Sequence, residues 1–170
     1  MKHFYSSLVA CVLLAANLPI QAATAQNTFS VTAATVGKCT ISANELAFNT
    51  SIPTPIEKNW DASSKLTVIC STTTPYSIGL NDGQGGGATC GDRRMTKIGG
   101  LASEILRYQL HTDAAHTIIF GKAGVGSTCP IEVGGTGSGV EQFVTVYGRI
   151  VPQSPVQGSF SDTITATVTF

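Results

Sequence analysis

The side chains able to do chemistry are few, and their spacing limits what they can do. Of the three histidines, His3 stands in the leading segment, so a catalytic or metal-binding reading of the body has to use His111 and His116. With Asp113 between them, the pattern His111-x-Asp113-x-x-His116 could set three ligands around one turn. A zinc centre needs further cysteines or carboxylates close by, and none flank the pattern. The plainer reading is a hairpin tip whose polar residues meet water. No Gly-x-Ser-x-Gly turn supports a serine nucleophile. The glycine-rich stretches 81–87 and 134–139 lack both the helix start of a phosphate cradle and the carboxylates of a calcium loop, and read as loops. Arg149, inside an apolar strand, pairs with a carboxylate such as Asp162 or lies on the solvent face, the second being the commoner arrangement. No catalytic residue, metal ligand or cofactor is expected.

Cysteine carries the other potential chemistry. Cys11 falls in the leading segment, which leaves Cys39, Cys70, Cys90 and Cys129. An even number of cysteines in an exported chain favours disulfides, and no close Cys-x-x-Cys pair points to a metal. Three connectivities are open, and spacing alone does not choose. A Cys39–Cys70 bond would close a loop of about 30 residues, contributing about 3–4 kcal/mol in the loop-entropy description, and would leave Cys90 to Cys129.

The elements that have to position these groups are strands. Ile164, Ala166, Val168 and Phe170 alternate with Thr163, Thr165, Thr167 and Thr169, so one face of the closing segment is apolar and the other polar. Residues 65–70 and 75–80 read as core strands, 117–120 and 140–150 as two more, and 101–110 as ambiguous with a slight lean to strand. In 140–150, Val144, Val146, Gly148 and Ile150 share a face. Residues 36–41 open the body, and 45–61, with Pro53 and Pro55, read as an irregular edge with a short extended piece near Leu46 and Phe48. Ahead of the body, 28–33 alternate too, with Phe29, Val31 and Ala33 on one face, which predicts a short strand docked on something. About seven strands and no convincing long helix describe an all-β sandwich or barrel.

Met1-Lys2-His3, the apolar stretch 8–16 and Ala23-Thr24-Ala25 fit a secretory signal over residues 1–25. Most of the apolar run follows Cys11, which argues against lipid attachment there. About 145 of 170 residues remain, the size of one domain with one core. Ten Lys and Arg balance ten Asp and Glu along the chain, so neither a nucleic-acid footprint nor a basic membrane-binding helix is visible.

Three stretches carry a family resemblance. Tyr108-Gln109-Leu110-His111-Thr112-Asp113-Ala114, with Phe120-Gly121 following, resembles the Tyr-Gln-Leu-Tyr-x-Asp-Ala segment of spore coat protein U domains. Val146-Tyr147-Gly148-Arg149-Ile150 and the ending from Gly158-Ser159-Phe160-Ser161-Asp162-Thr163 to Phe170 are similar to that family's closing motifs, and Cys39 and Val68-Ile69-Cys70 also fit. His111 occupies a place often held by an aromatic residue, and the Cys90 and Cys129 pair is additional.

Many members of that family are similar to subunits of archaic chaperone-usher pili. The resemblance implies an incomplete immunoglobulin-like β-sandwich that lacks its last strand. A periplasmic chaperone would lend that strand first. During assembly at an outer-membrane usher, the leading extension of another copy or a related subunit would replace it. On this reading residues 26–36 are a donor strand acting through Phe29, Val31 and Ala33. Residues 37–170 are the pilin domain, and Ile164, Ala166, Val168 and Phe170 wall the acceptor groove. The expected role is a non-enzymatic fimbrial subunit at the cell surface, serving attachment and biofilm formation. The alternatives are a self-complemented secreted coat or binding domain and, more remotely, a small exported hydrolase.

Overall fold

A computed structural model describes residues 24–121, 129 and 131–170; the expected signal at 1–25 lies almost wholly outside them. The chain divides into a leading unit, Met1–Ala34, and a body, Thr35–Phe170. In the leading unit, residues 24–34 form no β-ladder, and Phe29 and Val31 are exposed. The strand expected at 28–33 is therefore not formed here; alternation gives a segment its two faces, but a strand also needs a hydrogen-bonded neighbour.

The body is all-β among the described residues, with no helix. Its strands are β1 (Cys39–Ala43), β2 (Trp60–Cys70), β3 (Pro75–Leu80), β4 (Arg93–Lys97), β5 (Ile105–His111), β6 (Val133–Thr136), β7 (Gln142–Ile150), β8 (Phe160–Ser161) and β9 (Ala166–Thr169). They form two antiparallel sheets, one in the order β1-β2-β7-β5-β4-β8 and one in the order β6-β3-β9. This is an incomplete immunoglobulin-like sandwich.

Alternation places the core. Leu66, Val68 and Cys70 of β2, Leu106, Tyr108 and Leu110 of β5, and Val146 and Ile150 of β7 point inward from the large sheet. Tyr76, Ile78 and Leu80 of β3 meet them from the small one, with Phe120 fully buried between. Cys39 is bonded to Cys70, its register partner across β1 and β2, and Cys90 to Cys129.

Several elements differ from expectation, each for a local reason. β2 begins at Trp60, because Asp61, Ala62, Ser63 and Ser64 pair with β7, although these small residues carry almost no apolar signal. β6 runs through Gly134 and Gly135, a stretch expected to be loop. Gly135 lies opposite Tyr76, and an added Cβ would come within 2.5 Å of that ring, so the strand requires the residue that hid it. Residues 117–120 make only an isolated bridge, His111 to Ile119, rather than a strand. β4 and β8 pair with each other and carry no clean alternation in sequence.

Candidate functional site

β9 uses one edge to pair with β3, from Ser77 opposite Thr169 to Leu80 opposite Ala166. The pairing continues one step further, where the Asn81 amide donates to the Thr165 carbonyl (3.1 Å) and the Thr165 amide to Asn81 Oδ1 (2.8 Å). The other edge of β9 is hydrogen-bonded to no strand among the described residues. At the start of β9, where Ile164 and Ala166 line it, a groove of about 950 Å³ opens between the sheets. One rim is residues 43–54, following β1; the other is 155–164, leading into β9. The floor is the core itself, including Leu66, Leu80, Leu106, Leu110, Val146 and Ile150. An apolar floor at the start of a strand with an unpaired edge can do one thing well: accept an extended segment that adds main-chain hydrogen bonds and fills pockets with alternate side chains.

Each rim is held by specific contacts. Leu46 and Phe48 pack down on β7 at Gly148, where an added Cβ would lie 2.9 Å from Phe48 Cζ and 3.0 Å from Leu46 Cδ2. The Phe48 ring also meets Tyr108 edge to face at 6.3 Å. On the opposite rim, Asp162 is a clamp: its carboxylate accepts from the Tyr108 hydroxyl (2.7 Å) and from the amides of Gln84 (2.8 Å) and Thr163 (2.7 Å). Burial, then the bond to Asp162, pushes the Tyr108 hydroxyl well above the ordinary tyrosine range, so it stays a proton donor. Beneath lies Arg93, fully buried, donating to the carbonyls of Asn81 (3.1 and 2.9 Å), Cys90 (2.8 Å) and Phe120 (2.7 Å). Burial lowers its pKa, and the carboxylates of Asp82 and Asp162 act the other way.

The structure distributes the expected acceptor row unevenly. Ile164 and Ala166 are half-buried and line the groove. Val168 packs partly on the core, and Phe170, past the end of β9, is 59% exposed. Leu46, Phe48, Tyr108 and Asp162 belong to the site although sequence reasoning did not assign them to it; a glycine inside the otherwise apolar β7 was the available signal for a close approach.

The remaining chemically capable groups lie elsewhere. Arg149 does not reach Asp162: it forks onto Asp61, opposite it on β2, at 2.7 Å through both Nε and Nη2. Arg149 alternates outward from β7, next to the inward Ile150, whereas Asp162 bonds the core residue Tyr108, so the cross-strand neighbour Asp61 is the carboxylate within reach. His111 and His116 do not meet water at a hairpin tip. His111 is 2% exposed and the His116 side chain 5%, because residues 112–118 fold back over the sheet, the rings edge to face at 5.1 Å. Asp113 caps the turn, accepting from the amides of Thr117 (3.0 Å) and Ile118 (2.8 Å). Among the described residues no three His, Cys, Asp or Glu are placed to hold a metal ion, and no helix is long and apolar enough to cross a membrane.

The Spore Coat Protein U domain model matches residues 25–167, nearly the whole chain. The chain belongs to the Spore Coat Protein U domain family. A comparison with curated proteins found no match. Among solved structures, the body is similar to a chain of the CsuC-CsuE chaperone-tip adhesion subunit pre-assembly complex from the archaic chaperone-usher Csu pili of Acinetobacter baumannii. The identity is 23% and the TM-score 0.56, over 79% of this chain and 40% of that one. This Spore Coat Protein U domain thus spans less than half the length of the chain it matches, and the likeness is one of fold.

Proposed function

We propose that this Spore Coat Protein U domain is a structural subunit of an archaic chaperone-usher pilus, polymerised by donor-strand complementation. The observation that carries the reading is the groove with an apolar floor at the start of β9, a strand whose second edge has no hydrogen-bonded partner among the described residues. The family and the fold shared with a protein from a chaperone and pilus-subunit complex support it. A periplasmic chaperone occupies the groove first, and residues 26–36 of another subunit replace it at an outer-membrane usher. Phe29 and Val31 are exposed here, and burying both in a neighbour contributes about 3–6 kcal/mol gross, at about 1.5–3 kcal/mol per large side chain. That is a large share of a domain's usual stability of about 5–15 kcal/mol. The fibre then grows head to tail at the cell surface, where it serves attachment and biofilm formation.

Removing residues 26–36 tests the donor role. In a mixture with intact copies, the shortened chain is expected to be found only at the terminus whose donor is not needed, capping growth. If it polymerises as well as the intact chain, the donor lies elsewhere. If intact copies stay monomeric with that segment in their own groove, the domain is self-complemented.

A further inference from the structure

The two body histidines lie across the large sheet from the groove, because successive residues of β5 face opposite sides and Leu110 faces the core. His111 is register partner to Tyr147, and His116 stacks edge to face on both His111 (5.1 Å) and Tyr147 (6.1 Å). His116 has a left-handed backbone, φ 57°, uncommon outside glycine though histidine adopts it more often than most residues. Polar bonding does little to hold the pair. Nδ1 of His111 and both ring nitrogens of His116 are buried with no hydrogen-bond partner among the described residues.

The groups facing the pair come from every element packed on it. Asp61 of β2 stands 3.8 Å from His116 Nε2, Arg149 of β7 already forks that carboxylate at 2.7 Å, and Tyr147 of β7 lies beneath. Asp113 belongs to the loop and spends its oxygens on the turn, but its charge and a backbone hydrogen bond with Tyr147 both favour a proton on His111, against burial and the charge of His116. A proton on the His111 ring therefore puts a cation into a buried position that these contacts do not fully offset.

We propose that the His111–His116 pair is an acid-operated catch. With His111 neutral, the pair holds residues 112–118 against the outer face of the large sheet; with His111 protonated, it releases them and uncovers Tyr147. Burial, reinforced by the charge of His116, holds the His111 pKa below the ordinary histidine value, which agrees in sign with release on acidification. The loop is closed by the Thr112 amide on the Ile118 carbonyl (3.0 Å) and by the Asp113 cap, so their amides report its opening.

Hydrogen exchange of the purified full chain at about pH 8 and about pH 5, corrected for intrinsic rates, tests this. Protection at Thr112 and Thr117 is expected to fall at least about fivefold in acid, the effect of stranding one buried polar group, while amides of the β2–β7 ladder keep theirs. In His111→Phe, which keeps an aromatic ring without the proton site, the fall should vanish. In His116→Asn, whose side chain accepts a left-handed backbone, the loop should be weakly protected at both pH values. Unchanged protection in acid, an equal fall in His111→Phe, a fall shared by the whole ladder, or a wild-type response in His116→Asn would overturn the proposal.

Discussion

Arg93 shows how a charged residue can be part of a sandwich core. Its guanidinium ties the end of β3, the segment before β4 and the buried Phe120 together through three backbone carbonyls, with the Cys90–Cys129 bond alongside. Arg93→Met would leave those carbonyls unpaired at about 1–3 kcal/mol each, so a loss of at least about 3 kcal/mol is expected in urea unfolding. A loss under about 1 kcal/mol would mean that water replaces the guanidinium. Acid acts on other residues, in two steps. Burial holds His111 below its ordinary value of 6.5, so the folded state binds that proton more weakly than the unfolded chain; the associated stability is present above that value and lost as pH falls through it. Asp61 is lowered by its bond to Arg149. Asp113, despite the opposing effect of desolvation, is held at about 2 by the amide of Ile118 and by Thr117. Their contribution is present above the ordinary carboxylate value of 3.8 and lost below it. The thermal midpoint should therefore drop first on the acid side of neutrality and again below about pH 4, and a midpoint flat down to pH 4 would contradict the first step.

The closely fitted rim at β7 is the element most open to a single change. Gly148→Val would drive Leu46 and Phe48 off the sheet, with an expected cost of about 1–3 kcal/mol by denaturation, the usual range for overpacking. An unchanged midpoint would mean that the rim gives way freely. The same contact shows what was legible in sequence. β3 was found at its observed bounds and β7 with its inward face, because Tyr76, Ile78 and Leu80, and Val144, Val146 and Ile150, alternate with polar or small residues. Arg93-Arg94-Met95-Thr96-Lys97 was not seen as β4: its inward members include a buried arginine satisfied by the backbone carbonyls of Asn81, Cys90 and Phe120. β6 was hidden by glycines needed for the Tyr76 ring, and 117–120 misled because apolar residues there return to the core through Phe120 without a ladder. The groove itself was legible only in part. Ile164 and Ala166 could be placed on a face, but Asp162 reaches Tyr108 across 54 positions and Arg149 reaches Asp61 across 88, separations no local pattern encodes.

At the scale of the molecule, the body is a sandwich with its interior reachable along one side, and that governs its behaviour. An unpaired strand edge with an apolar groove at its start invites pairing with another chain, so the isolated domain should self-associate unless the groove is filled. Heterologous contacts of this kind, a leading segment on one copy and a groove on the next, generate open fibres when the rotation does not close. The most direct measurement is the binding of a peptide of residues 26–36 to a chain lacking them, read by native mass spectrometry together with the thermal midpoint. The account predicts a one-to-one complex with a raised midpoint, weakened by Phe29→Asp in the peptide or Ile164→Asp in the groove. A shortened chain that folds with an unchanged midpoint and takes up no peptide would contradict it.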